Sequence, residues 1–190
     1  SLQERLEYGG LIGYLILSLG GLALIGGLMR MVYLLRVRVL VRAQCKTQTA
    51  SDDNPLGRVM KVYQDSPGLD TETLELKLDE AILKEQSTID SFLWAIKVVS
   101  VAAPLMGLLG TVTGMIETFQ AITLFGTGDP KLMAGGISEA LVTTMLGLIV
   151  AIPLVLLHSW LRTLARRMID LLGEQSSGMV ARQAEARVGD

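Results

Sequence analysis

Two threonines, Thr111 and Thr144, stand among glycines and alanines in long uncharged stretches, and two glutamates, Glu117 and Glu139, lie at the ends of those stretches. Hydroxyls in such a setting can hydrogen-bond across a helix contact or be exposed to water and protons. Ionisable groups at membrane depth are costly and mark functional sites by default. At about 100° per residue, Ala103, Gly107, Gly110, Thr111, Gly114 and Thr118 share one helical stripe. Ala140, Thr144, Gly147 and Ala151 form a second. Stripes of small residues either let two backbones approach closely or line a pore wall that holds another helix and shows it a few hydroxyls. On the second reading Thr111, Thr144 and Glu139 make a proton pathway, and Ala103, Gly107, Gly110, Gly114, Ala140, Gly147 and Ala151 line it. No aspartate, glutamate or histidine falls at the centre of these stretches. A proton relay needs a titratable carrier inside the membrane, so here the carrier must come from a partner. Pro104 and Pro153 lie in the same stretches and act as hinges or as tolerated bends.

Other chemistries lack their residues. A single cysteine, Cys45, cannot form an intrachain disulfide, and with one histidine, His158, no zinc site can be assembled. No Ser-His-Asp set, P-loop, zincin motif or close carboxylate pair is placed to react, so neither an enzyme nor a cofactor or metal is expected. Seventeen Lys plus Arg against nineteen Asp plus Glu give a net charge of -2, which supplies no basic field for nucleic acid.

The elements that must carry these residues are membrane helices. Half of the 190 residues are apolar and only 19% are charged, and a bilayer core of roughly 30 Å needs about 20 apolar helical residues. That run occurs three times: Tyr8 to Met29, closed by Arg30; Val98 to Ile116, between Lys97 and Glu117; and Ala140 to Leu161, closed by Arg162. Soluble helices keep a polar face, and these do not. Arg36, Arg38, Arg42 and Lys46 follow the first run and Arg162, Arg166 and Arg167 the third, while the link from Phe125 to Gly136 holds only Asp129 and Lys131. The positive-inside rule then predicts an outer N-terminus and an inner C-terminus, with the basic cluster touching anionic lipid headgroups.

The resulting fold class is all-α, a polytopic membrane protein with three transmembrane helices, two of them extended into the cytoplasm. The predicted layout is an amphipathic periplasmic segment over 1–7, span one over 8–35 and a cytoplasmic region over 36–95. Span two follows over 96–124, a periplasmic loop over 125–137, span three over 138–161, and a cytoplasmic helix and tail over 162–190. Turn signals fall at Asp52-Asp53-Asn54-Pro55 and Ser66-Pro67-Gly68. From Thr71, Leu74, Leu78, Ile82, Ile89, Leu93 and Ile96 recur at three-to-four spacing with a break near Glu85, which predicts one long helix entering span two. Arg30 is expected to snorkel, and the Gly/Ser/Ala-rich stretch after Gly173 to be weakly ordered.

The stretches APLMGLLGTVTGMIETF, from Ala103 to Phe119, and GGISEALVTTMLGLIVAIPLVL, from Gly135 to Leu156, resemble the MotA/TolQ/ExbB proton-channel proteins. With the three-span layout, the likeness covers Leu2 to about Leu172. MotA-type stators have four spans, so three favour ExbB or TolQ, and GTVTGMIETFQAITLFGTGDPKLMAGGI is similar to TtpC-type ExbB proteins. Those carry an additional periplasmic region ahead of the first span; such a region, or a processed N-terminus, would account for a chain starting at Ser1. The resemblance implies a homo-pentamer in the bacterial inner membrane, surrounding a dimer of an ExbD-like single-span protein that supplies the membrane aspartate. A TonB-like protein would carry the work to outer-membrane import such as iron-siderophore uptake. The family's pore threonines fall on Thr111 and Thr144, and its motif glutamate on Glu139. The sequence departs from the enteric pattern at Thr113, where tryptophan is common, and at Gly136, where proline is. A TolQ-like stator of the Tol-Pal system and a purely structural membrane scaffold are the alternatives; a solute transporter would need a polar midplane site and internal repeats, and neither is visible.

Overall fold

The computed structural model describes residues 10–126 and 130–188, and every regular element among them is helical. In chain order these are α1 (Gly10–Gln44), α2 (Pro55–Gln64), α3 (Thr71–Ile89), α4 (Leu93–Phe125) and α5 (Pro130–Val188). Three of them, α1, α4 and α5, are long and apolar enough to cross a membrane, as the three apolar runs require. Pro104 and Pro153 lie inside α4 and α5 without ending either helix. The amphipathic segment expected over 1–7 lies outside the described residues.

The described chain forms two compact units. The first holds residues up to Leu28 together with Phe92–Ser159. Its α1 carries glycines every seven residues, Gly13, Gly20 and Gly27, and a Cβ at each would meet Leu146, Val150 and Leu157 of α5 in turn. Seven residues are two helical turns, so the three glycines form one seam that admits the larger side chains opposite. Beside this seam Ile16, Ala103 and Ala151 are buried together, with Ile12, Met106 and Val150 packed around them.

The second unit holds Met29–Ser91 and the residues from Trp160 onward. Its short helices begin where local chemistry starts them. Asn54 caps α2 by accepting from the Gly57 N–H at 2.8 Å, with Pro55 in the first turn, where its missing N–H costs nothing. Asp70 caps α3 by accepting from the Thr73 N–H at 2.9 Å, and that bond holds its carboxyl below the usual aspartate range. Asn54 is itself buried, and its Nδ2 donates to Gln44 Oε1 at 3.1 Å. Gln44 in turn donates to the Thr49 carbonyl at 2.7 Å and accepts from the Ser51 N–H, so the turn between α1 and α2 is closed by a satisfied polar knot. Glycine is required at position 57, where a Cβ would collide with the Ser51 carbonyl.

Four readings of the sequence are corrected. The single helix expected from Thr71 into span two is two helices: α3 ends at Ile89, and Phe92 adopts a left-handed conformation (φ 69°) before α4 starts. The interruption near Glu85 is not a slip in register. Glu85 lies on the same face as Leu74, Leu78, Ile82 and Ile89 and forms a two-pronged ion pair with Arg58 of α2 at 2.7 and 2.6 Å; its hydrogen bond raises the Arg58 pKa above the ordinary value. The stretch after Gly173 is helical to Val188. Its small residues hide a regular face: Leu172, Ser176 and Met179 are buried, and further along Gln183 donates to the Leu69 carbonyl at 2.8 Å and Arg187 to those of Gly68 and Leu69 at 2.9 and 2.6 Å. Arg30, finally, does not simply reach for headgroups. It donates to the carbonyls of Thr88 and Ile89, the open C-terminal end of α3, and stacks 4.6 Å from the Tyr33 ring.

The polar knot yields a stability prediction. Asn54→Ala removes a buried cap and orphans part of the Gln44 amide, so it should destabilise the second unit by about 1–2 kcal/mol. Hydrogen exchange of α2 amides in detergent, accelerated in the variant while α4 amides are unchanged, is the check.

Candidate functional site

The two stripes of small residues face each other within one chain. A Cβ on Gly107 would lie 2.9 Å from the Thr143 carbonyl oxygen and 3.0 Å from the Thr144 Cα, and one on Gly147 would lie 2.6 Å from the Ala103 carbonyl oxygen. Along the same line Gly110 is opposed by the Thr143 side chain and Gly114 by Ala140. Ala103 and Ala140 are buried at 2% and 1% exposure. The contact thus runs along about three turns of α4, backbone against backbone at Gly107 and Gly147, with the side chains of Thr143 and Ala140 seated against Gly110 and Gly114. What the glycines line inside the chain is this contact.

At the edge of the contact the hydroxyls collect. Thr111 Oγ1 lies 3.2 Å from the carbonyl of Gly107 in its own helix and 3.2 Å from that of Ala140 across the contact, and it is hydrogen-bonded to Thr144 Oγ1. Thr144 Oγ1 lies 3.0 Å from the Gly107 carbonyl. Two hydroxyl protons are therefore shared among two hydroxyl oxygens and two carbonyls, and the pair can reverse its donor direction without moving a heavy atom. Both threonines are half-buried, at the rim of the contact and not in its floor. Thr143, which the sequence reading passed over for its neighbour, is the floor: it is 3% exposed, donates to the Ala140 carbonyl at 2.7 Å and fills the space left by Gly110. Its position three residues after Ala140 and four before Gly147 was the available signal.

Glu139 is set apart from this pair. Its Oε1 lies 3.0 Å from where a Cβ would stand on Gly10, the first residue of α1, which has φ +52°. Among the described residues it forms no hydrogen bond with Thr111 or Thr144. Glu117 is exposed. The contact continues past Gly114 to Gly136, where a Cβ would strike the Thr118 hydroxyl. Thr118 is 7% exposed and donates to the Gly114 carbonyl at 2.8 Å. A side chain at position 136 would therefore crowd the Thr118 hydroxyl. Thr113 bonds back to the carbonyls of Leu109 and Gly110 at 3.0 and 3.1 Å.

The site is thus a pair of closely apposed apolar helices with a hydroxyl pair at the rim of their contact. The sequence matches the MotA/TolQ/ExbB proton channel family over residues 51–174, and the chain belongs to that family. The matched region contains Thr111, Thr144 and Glu139. An ExbB-like biopolymer transport protein of Synechocystis sp. is 32% identical over 126 residues, 65% of this chain and 60% of that protein. An ExbB homologue of Methanothermobacter thermautotrophicus is 28% identical over 174 residues, 83% of this chain and 62% of the relative. The biopolymer transport protein ExbB of Aquifex aeolicus is 42% identical over 89 residues, 45% of this chain and 60% of that one. The chain thus spans about three fifths of the length of these relatives. Among solved structures, that of C. jejuni MotAB aligns with a TM-score of 0.46 and 21% identity, over 93% of this chain and 73% of that one. The protein is a multi-pass membrane protein of a proton-channel family.

The glycine contact predicts a sharp contrast between two substitutions. Gly147→Ala pushes a Cβ into a backbone carbonyl that cannot rotate away, and should cost about 1–3 kcal/mol. Gly173→Ala, with nothing within 4 Å of the new Cβ, should stabilise its helix by about 0.5–1 kcal/mol. Thermal unfolding of both variants in the same detergent reads out the difference.

Proposed function

We propose that this chain is the channel-forming subunit of a proton-driven machine in the bacterial inner membrane. Five copies form a ring around the spans of an ExbD-like dimer, and the pore-facing edge of each α4–α5 pair presents Thr111 and Thr144 to that dimer. The observation that carries this reading is the reversible hydroxyl pair at the rim of a contact whose centre holds no titratable group. Hydroxyls can pass a proton along a hydrogen bond but cannot store one near neutral pH. A carboxylate on the partner's span is the missing store, loading on the outer side and unloading on the inner. The charge distribution beside the spans supports an outer N-terminus and an inner C-terminus, which places α2, α3 and the end of α5 in the cytoplasm.

The work goes to a TonB-like protein and so to outer-membrane import such as iron-siderophore uptake. The names of the relatives as biopolymer transport proteins and the TtpC-like stretch around Gly110 to Ile137 support this over a Tol-Pal role. Glu139, at the outer entrance of the third apolar run, guides protons toward the rim.

Thr111→Val with Thr144→Val keeps the bulk and removes both hydroxyls. TonB-dependent siderophore uptake should fall by about tenfold or more, with the complex recovered intact from membranes; unchanged uptake would mean that the threonines only pack helices. Glu139→Gln should slow uptake while leaving assembly unaltered. If it transports as well as the parent across the pH range, Glu139 has no part in guiding protons.

A further inference from the structure

We propose that the outer face of α3 in one copy docks into the groove between α1 and α5 of the next copy; this rests on the ring reading above and names its contact. On α3, Leu76 and Leu83 are 65% and 64% exposed although the helix already buries Leu74, Leu78 and Ile82 on its opposite side. Seven residues apart, they stand in line on one face; Glu72 and Asp79 flank them on one side, and on the other Glu80 is paired with Lys84 at 2.8 Å. The result is an apolar ridge with an acidic border along one side.

The complementary surface is a groove formed by the end of α1 and the middle of α5. Val39, Val41, Met168 and Leu171 give it apolar walls, and Arg38, Arg42, Lys46 and Arg167 give it four cations against the two carboxylates of Asp170 and Glu174. Val39 is 67% exposed there. An apolar ridge bordered by acids thus meets an apolar groove bordered mainly by bases.

Height along the membrane normal makes the match specific. Copies inserted in one bilayer with one orientation, more than two to a ring, must touch through two different surfaces at equal depth. Arg30 supplies a common level, because it closes the first apolar run and is bonded to the carbonyls of Thr88 and Ile89. At 1.5 Å per residue, Arg38 lies about 12 Å and Arg42 about 18 Å beyond that level along α1. Counting back from Ile89 along α3, Leu83 lies about 9 Å and Leu76 about 20 Å beyond it. Ridge and groove occupy the same layer.

The native Cys45 lines the groove and, as the chain's one cysteine, provides the test. Leu76→Cys and, separately, Asp79→Cys are introduced into the full chain and oxidised with copper phenanthroline in native membranes. Each chain then offers one thiol on its ridge and one in its groove. The expected result is a ladder of disulfide-linked species extending past the dimer, abolished by Cys45→Ser and absent with Lys77→Cys, which stands about 100° round α3 from Leu76 on the side toward α2. If neither ridge variant gives a ladder while an amine-reactive cross-linker still yields the full ring, the docking proposal is wrong and the ring stands. If the amine-reactive cross-linker also yields only monomer, the ring reading itself fails. A ladder that survives Cys45→Ser, or is equally strong with Lys77→Cys, also overturns the proposed contact.

Discussion

The structure depends on one close approach, that of the α4 and α5 backbones at Gly107 and Gly147. Lipid supplies no hydrophobic force between helices, so they hold together by contact distance and by hydrogen bonds that cannot be replaced by water. The glycines give the first. The threonines give the second, and because Gly107 has no side chain its carbonyl is reached by Thr144 across the contact as well as by Thr111 from its own helix. The distance between hydroxyls is therefore set by the absence of side chains one turn away. On the function proposed above, such a contact serves as a rigid wall and not as a set of reactive groups, the carrier being assigned to another chain.

The opposite strategy holds the residues on either side of α2 and α3. There the anchors are polar and specific: a buried Gln44–Asn54 pair closes one turn, the Arg58–Glu85 pair joins two short helices, and Gln183 with Arg187 holds the turn at Gly68 and Leu69. Arg30 ties the end of α3 to α1 through main-chain acceptors. Such bonds fix register where apolar area is small, and each is costly to leave half-made.

How much of this was legible depended on whether a residue's signal was local. Three apolar runs of bilayer length were plain, and so were the two small-residue stripes, because periodicity alone places them. Thr111 and Thr144 could be picked out as hydroxyls on those stripes. Their pairing, and the role of Thr143 beneath them, required the relative rotation of two helices, which no single-helix pattern contains. The seam of Gly13, Gly20 and Gly27 was readable from its spacing of seven but stood in a run already explained by the membrane. The ordered helix beyond Gly173 was obscured because composition suggested disorder while Leu172, Ser176 and Met179 kept helical spacing. The end of α3 was obscured for the reverse reason: the apolar pattern continues across Ser91 and Phe92, and only the backbone conformation at Phe92 shows the break.

The central claim is that this chain forms a proton path but holds no proton carrier. Native mass spectrometry of the complex drawn from inner membranes in mild detergent tests it most directly. The account predicts five copies of this chain with a single-span partner bearing an aspartate within its span. A proton-conducting assembly containing this chain alone would contradict it, because the carrier would then have to lie among residues that include no mid-span acid.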